Sequence, residues 1–579
     1  MSWVLPLPVV LPLLGAALNA ALDHVTPRWL HVAVTLAAVA AALAFAILIL
    51  IYSMSTETLH WFGGWHPRSG VAIGVVFAVD PLGAGFAVLA CALTLLALLY
   101  SIPYVEVETR NYDMLVSVLC GACCGFALSG DLFNMFVWLE LAGVAGYALT
   151  GFDIRRMSAL QGAVNFAVVN TVGGYFVLIG IGLLYARTGA LNLAQIGRTL
   201  AGEKSSGLVI IAMTLIVCGF LCKAAIVPFH FWLGDAYAVA PAPVCLIFAG
   251  IVTDIGVFGV GRVWFTVFDA PFGTHQRFVG DALLWMGIVT ALVGGTMALV
   301  QQHLKRLLAF TVVCHIGIML VGLGLLSSKG VAGAAMMLLG HGIATGGLFL
   351  AAGLLAVREP ARWTAALWFC GAISLIGPPY IGVYMGHALI DDAAVELGRH
   401  WVQPLVWLAG ALAGAALLRA GAQVFLGLVD DYDHGIEEDR DGPVPYLGAI
   451  SALLVAVGLV VSLIPGLTQR VMRGADRFRD RAGYADRVLH GIPMKEGAHL
   501  PVVLQPTSTA SLAYGCGALV VAVALAAFAV RRPDAARARV FDPVVWPLRQ
   551  LQTGVVGDYV MWVVVGTAVL GGVWALTLR

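Results

Sequence analysis

The sequence predicts an all-α polytopic membrane protein of about 14–16 transmembrane helices, some of them broken inside the bilayer. Three observations carry that expectation. Of the 579 residues, 60% are hydrophobic and 11% charged, whereas a soluble domain is about one quarter charged. The apolar runs are continuous, as in Val32 to Ile51, Leu208 to Leu221 and Leu512 to Val530, and most have or approach the roughly 20 residues that cross a bilayer as helix. They are rich in Ala, Leu and Gly, where a β-barrel would alternate apolar and polar residues over about ten positions. The 68 glycines suit closely packed helices.

In chain order the runs place helices over 3–21, 29–53, 71–103, 113–129, 132–152, 161–186, 207–229 and 238–266. They continue over 279–301, 304–326, 331–357, 366–389, 401–428, 445–467, 509–530 and 557–578. The first, Met1 to Asp23, lacks a positively charged leading region and reads as a retained helix rather than a cleaved signal. With alternating crossings, Arg155, Arg156, Lys305, Arg306, Arg358, Arg362, Arg531 and Arg532 fall on one face. That face is expected to be cytoplasmic, with the N-terminus outside.

Two crossings carry breaks: Pro228 follows Lys223 closely, and Pro378 with Pro379 precedes His387. Proline removes a backbone donor and clashes one turn back, leaving carbonyls free for an ion or water. Paired interrupted helices in two halves of a chain point to an inverted-repeat transporter with its site near the midplane. Outside the membrane, Asp430 to Asp441 (DDYDHGIEEDRD) reads as a solvated acidic loop. Gln469 to Pro506 is expected to hold an amphipathic helix on the outer face or against a neighbouring subunit.

Lys plus Arg equals Asp plus Glu at 32 each, so no basic excess suggests nucleic acid, and no such partner is expected. The ten cysteines lie almost wholly inside spans without the ligand spacing of an iron–sulfur or zinc site. Cys120, Cys123 and Cys124 read as small apolar packing residues. No cofactor or metal is expected.

The informative residues are ionisable groups within apolar runs, because each costs at least about 2.5 kcal/mol to bury and marks a pathway or a pair. Glu140 sits in LFNMFVWLELAGVAGYAL, Lys223 in IVCGFLCKAAIVPFHFW, Asp254 in CLIFAGIVTDIGVFGVG, His315 in LLAFTVVCHIGIMLVG and His387 in PPYIGVYMGHALI. Glu140 and Lys223 are expected to interact. Asp254 has three fates open to it: pairing with Lys223, holding a proton, or binding a hard cation such as sodium.

Four segments carry a resemblance: SGDLFNMFVWLELAGVAGYAL around Glu140, KAAIVPFHFWLGDAYAVAPAPV opening on Lys223, LKRLLAFTVVCHIGIML with His315, and HGIATGGLFLAAG opening on His341. Over about residues 70–430 the chain resembles the proton-translocating antiporter-like subunits shared by complex I, membrane-bound hydrogenases and Mrp cation/proton antiporters. The resemblance implies two inverted five-helix repeats, here at 113–266 and 279–428, between N-terminal helices at 1–112 and C-terminal helices and loops at 429–579. It implies a glutamate, Glu140, that modulates a lysine on a broken helix, Lys223, and a central chain of buried charges and water that includes His315 and His341. Lys305 matches a family lysine near a membrane face.

Three positions depart from the family pattern. Asp254 stands where lysine or histidine is usual, His387 where lysine or glutamate is usual, and Thr345 where several members carry a second buried lysine. The tail segments RFRDRAGYADRVLHG and LRQLQTGVVGDYVMW resemble those of Mrp D-type subunits. The resemblance therefore implies a proton-translocating subunit of a multisubunit cation/proton antiporter, with protons and possibly Na+ as cargo and other membrane subunits as partners. It implies a multi-pass place in a bacterial cell membrane. The alternatives are a proton-pumping arm of a complex I-like or hydrogenase oxidoreductase, and a structural subunit that has lost transport.

Overall fold

In the computed structural model, which describes residues 2–22, 25–55, 58–104, 110–201, 206–272, 275–355, 362–425, 444–490, 508–531 and 542–578, fourteen helices are long and apolar enough to cross a bilayer. Two shorter apolar helices, Gly207–Lys223 and Arg362–Ile376, each stop at a break and continue as a second half, giving sixteen candidate crossings among the described residues.

The chain opens with α1 (Leu7–Leu22) and α2 (Arg28–Ser53). A hairpin of β1 (Thr58–Trp61) and β2 (Val76–Val79) follows, pairing Thr58 with Val79 and Trp61 with Val76. The helix expected over 71–103 is corrected here. Val76, Phe77 and Val79 are β-branched or aromatic and pair as a strand. Asp80 then caps α3 (Pro81–Tyr104), its Oδ1 accepting from the amides of Leu82 at 2.9 Å and Gly83 at 3.0 Å. Pro81 fits the first helical position because its missing N–H is not needed there.

Three long crossings come next: α4 (Arg110–Leu128), α5 (Leu132–Thr150) and α6 (Met157–Thr188). The short α7 (Leu193–Ala201) leads to the first broken crossing, α8 (Gly207–Lys223) with α9 (Phe231–Val239). The crossing Ala242–Phe272 consists of α10 (Ala242–Ile247), a π-helical turn at Phe248–Val252, α11 (Asp254–Val263), a second π-helical turn at Trp264–Phe268 and α12 (Asp269–Phe272). Such turns inside α-helices concentrate at functional sites.

In the second half, α13 (Gln276–Val300) and α14 (Leu304–Gly324) pack backbone to backbone. A Cβ at Gly287 would lie 2.7 Å from the Gly317 carbonyl. Then come α15 (Ser328–Leu354), the second broken crossing of α16 (Arg362–Ile376) and α17 (Tyr384–Glu396), α18 (Val402–Phe425) and α19 (Val444–Val460).

The stretch expected to be amphipathic forms α20 (Leu467–Arg479) and α21 (Arg481–His490). On α20, Val471, Met472, Ala475 and Phe478 are buried while Arg470 and Arg473 are exposed, a helical-period apolar face. The chain ends in α22 (Thr509–Arg531), α23 (Asp542–Leu551) and α24 (Val556–Thr577). The acidic Asp430 to Asp441, the part of the expected amphipathic stretch beyond His490, Arg358 and Arg532 lie outside the described residues.

The two ends of the bundle are tied differently. At the hairpin end a buried ion pair joins Arg262 of α11 to Asp80, and the guanidinium stands 4.3 Å from the Phe478 ring and 5.2 Å from that of Phe258. That clamps α20 across the helix ends. At the other end Lys305, near the start of α14, donates to the Ala240 carbonyl at 3.0 Å, and Arg306 pairs with Asp235 at 3.4 Å.

Candidate functional site

Glu140 lies in the middle of α5, a helix whose first turn is fixed by Asp131 accepting from the Asn134 amide at 2.9 Å. Its carboxyl is half-buried against α6 at Gly174, where a Cβ would come within 1.9 Å of Oε1. Only glycine leaves room for that seat.

Lys223 is the last residue of α8 and is 3% exposed. Its ammonium stands 5.3 Å from the ring of Phe166 and 5.9 Å from that of Tyr147. The helix stops there because Pro228 has no N–H to continue it and Ala225 takes a positive φ of 52°. The break is held by side chains: the Val227 amide donates to Thr290 Oγ1 at 3.0 Å, and Trp232 Nε1 donates to the Cys222 carbonyl at 3.1 Å. Trp232 stacks on Phe166 at 4.2 Å, so the ring under the ammonium belongs to a rigid stack. Glu140 and Lys223 were expected to interact. Each acts on the other electrostatically, without an ion-pair contact between them among the described residues, because the ammonium is turned onto the two ring faces.

Asp254 is fully buried, and among the described residues neither carboxyl oxygen has a hydrogen-bond partner. Pairing with Lys223, one of its three expected fates, is not found among the described residues; the ring faces hold the ammonium instead. The segment around Asp254 nevertheless spans the two halves of the chain. A Cβ at Gly256 would lie 2.6 Å from the amide of Ala224, the residue after Lys223. A Cβ at Gly342, the residue after His341, would lie 2.9 Å from Gly250 Cα.

The second half gathers the histidines. His315 on α14 stacks on His341 of α15 with ring centres 4.7 Å apart. His315 Nδ1 lies 2.9 Å from the Thr311 carbonyl oxygen and Nε2 3.2 Å from that of Leu375. Leu375 is four residues before Pro379, which has no N–H to offer, so the break of α16 frees the carbonyl that His315 meets. Both partners only accept. A neutral imidazole has one N–H and serves one of them at a time, whereas the protonated ring serves both.

His341 Nδ1 is 3.0 Å from Thr345 Oγ1, while its Nε2 has no hydrogen-bond partner among the described residues. His387 is fully buried, stacks on Trp407 at 4.3 Å, and has neither ring nitrogen hydrogen-bonded among the described residues. Thr345 thus orients the His341 ring.

Sequence reasoning missed Asp391. One helical turn beyond His387, it is fully buried, and its Oδ2 accepts from Trp407 Nε1 at 2.7 Å and Ser511 Oγ at 3.1 Å, with Oδ1 not hydrogen-bonded among the described residues. Its position four residues after His387, on the same helix face, was the available signal. Sequence reasoning also missed Asp235, whose Oδ2 accepts from Tyr559 Oη at 3.0 Å and Asn165 Nδ2 at 3.1 Å. Asp235 lines a polar cavity of about 340 Å³ with Arg306, Arg549 and Gln552 at the end opposite the hairpin. The thiols of Cys91, Cys120 and Cys124 pack within 4.8 Å of one another, a donor set of the kind that suits soft metals.

The family model described as NADH:quinone oxidoreductase/Mrp antiporter, TM, matches residues 129–413. That stretch contains Glu140, Lys223, Asp254, His315, His341, His387 and Asp391. The chain is 32% identical to the N-type subunit of the NADH-quinone oxidoreductase of Desulforudis audaxviator over 345 residues, 56% of this chain and 67% of that protein. It is 27% identical to the D-type subunit of the Na(+)/H(+) antiporter of Bacillus subtilis over 480 residues, 80% of this chain and 93% of that protein. A chain in the structure of the Mrp complex from Dietzia sp. shares the fold, with a TM-score of 0.74 and 24% identity over 84% of this chain and 100% of that one.

Proposed function

Because the chain belongs to the NADH:quinone oxidoreductase/Mrp antiporter transmembrane family, we propose that it is the proton-translocating subunit of a multisubunit cation/proton antiporter of the Mrp type, set in a bacterial cell membrane. The cargo is protons, exchanged for a cation such as Na+. Length supports this branch: the likeness to the Bacillus subtilis antiporter protein covers nearly all of that protein.

The proposed relay starts at Glu140 and Lys223, passes Asp254, and continues through His341, His315 and His387 to Asp391. Two repeats, at 113–266 and 279–428, fit the order of crossings. The broken crossing is the fourth of five in each set, and the first helix of one set runs opposite to the first helix of the other. One observation carries the reading. The segment bearing a buried, unpartnered carboxyl touches the residue after Lys223 on one side and the residue after His341 on the other. A carboxyl in that place can take a proton from one half and pass it to the other.

The test is Asp254→Asn, which removes the acid and keeps the shape. Proton movement is followed with a pH-sensitive dye in vesicles holding the assembled complex, with and without sodium. Loss of transport at normal assembly is expected. If transport and its sodium dependence both survive, Asp254 is a packing residue and the relay does not run through it. The identity to the Desulforudis audaxviator protein favours a second reading, a proton-pumping arm of an oxidoreductase. Iron–sulfur subunits co-purifying with the chain would select that reading over the antiporter.

A further inference from the structure

A cavity of about 760 Å³ opens between α2, α3, α11, α14 and α15, under α20. Its walls are apolar, with Gly85 and Leu89 on α3, Phe258 on α11, Met319 on α14, and Leu339 and Ile343 on α15. Among the lining residues the only charged one is Arg470 of α20. Arg470 is exposed, and among the described residues no hydrogen bond or ion pair engages its guanidinium. Along α3 the lining runs from Pro81 to Ala92, about 16 Å at the helical rise. That is about half the hydrocarbon thickness of a bilayer. The cavity is therefore one leaflet deep.

We propose that this cavity binds the acyl chain of a phospholipid from the hairpin-side leaflet, with Arg470 holding the lipid phosphate. Water gains little in an apolar cavity, since it needs two to four polar partners there. A partner's transmembrane helix would run the full thickness, whereas this cavity ends at mid-depth beneath α20. An acyl chain has the length and the chemistry, and a guanidinium at the mouth recognises phosphate oxygens in its fork. The chain would end against Met319, one turn from His315, and Ile343, two residues from His341, and keep water from the hairpin side of the histidines.

The test uses the complete complex with its partner subunits in vesicles of phosphatidylethanolamine and phosphatidylglycerol. A phospholipid carrying a photoactivatable group midway along one acyl chain is crosslinked, and the labelled peptides are mapped. Label is expected on the α3 and α15 segments that face the cavity. A Cβ at Gly85 would meet nothing within 4 Å, so Gly85→Phe can fill the cavity without displacing backbone and should cut that label at least fivefold. Gly85→Ala should keep it. Arg470→Gln should lower the label severalfold and Arg470→Lys restore most of it. Label spread over the lipid-facing helices and indifferent to Gly85→Phe overturns the proposal. So does equal capture of a labelled free fatty acid, or no label at these segments in the assembled complex.

Discussion

Gly174→Ala tests whether the seat of Glu140 matters to transport rather than to folding. A Cβ at 174 would lie 1.9 Å from Glu140 Oε1 and 2.8 Å from its Cδ. The carboxyl must withdraw from α6 by about 1.5 Å to reach ordinary contact near 3.4 Å. The Lys223 ammonium rests against Phe166 of α6 as well as Tyr147 of α5, and the prediction takes withdrawal of the carboxyl from α6 as withdrawal from the ammonium. For a generic opposite-charge pair that widens from about 5 Å to about 6.5 Å at an effective dielectric of about 20, the attraction weakens by about 0.8 kcal/mol, which sets the scale of the expected effect. That corresponds to about a fourfold loss in a rate that depends on it. Alanine is favoured over glycine in a helix by up to about 1 kcal/mol, so the helix itself is not weakened. Gly182→Ala on the same helix is the control, because a Cβ there meets nothing within 4 Å. Proton uptake by vesicles with matched amounts of complex is the assay. Gly174→Ala transporting at the Gly182→Ala rate would refute the argument that the carboxyl's position tunes Lys223.

Two further outcomes follow from the buried polar groups. Arg262→Leu leaves the Asp80 carboxylate buried without its cation, a loss of about 3–5 kcal/mol. A thiol-reactive dye reads the unfolding, since eight of the ten cysteines are buried, and a melting point equal to wild type would show the pair to be dispensable. His387→Gln keeps the size and hydrogen-bonding capacity of the side chain but cannot titrate near neutral pH. It should flatten the pH dependence of transport, and an unchanged profile would make His387 structural.

The crossings were legible because length and hydropathy decide them, and the breaks because proline marks them. Glu140, Lys223, Asp254, His315 and His387 stood out as ionisable groups in apolar runs. The hairpin was hidden because Val76–Val79 is buried throughout, and a short apolar run reads as helix or strand alike. Asp391 was hidden by its neighbour: the adjacent Asp392 is less buried, and two aspartates near a helix end read as a solvated pair. Its partners come from Trp407 on α18 and from Ser511, 120 residues away, contacts that no local pattern announces. The orientation of Lys223 was equally out of reach, since rings from α5 and α6 decide it.

The two halves of the proposed relay use the same positions with different chemistry. In each set of five crossings the second helix carries a residue of the proposed relay within its span, Glu140 on α5 and His315 on α14, and the broken fourth carries another, Lys223 and His387. In the first half the charged group stands at the break, where the chain turns the ammonium onto aromatic faces. In the second half the break supplies a carbonyl, that of Leu375, and the histidine across from it completes the site. An ammonium held over rings keeps its charge where the rings are, whereas His315 can change carbonyl partner as its proton moves from one nitrogen to the other. The first half is thus built to hold a charge and the second to pass one. In the proposed relay, transfer between unlike halves needs a group that belongs to neither arrangement, and the proposal gives that role to Asp254, whose carboxyl has no hydrogen-bond partner among the described residues and whose segment touches both.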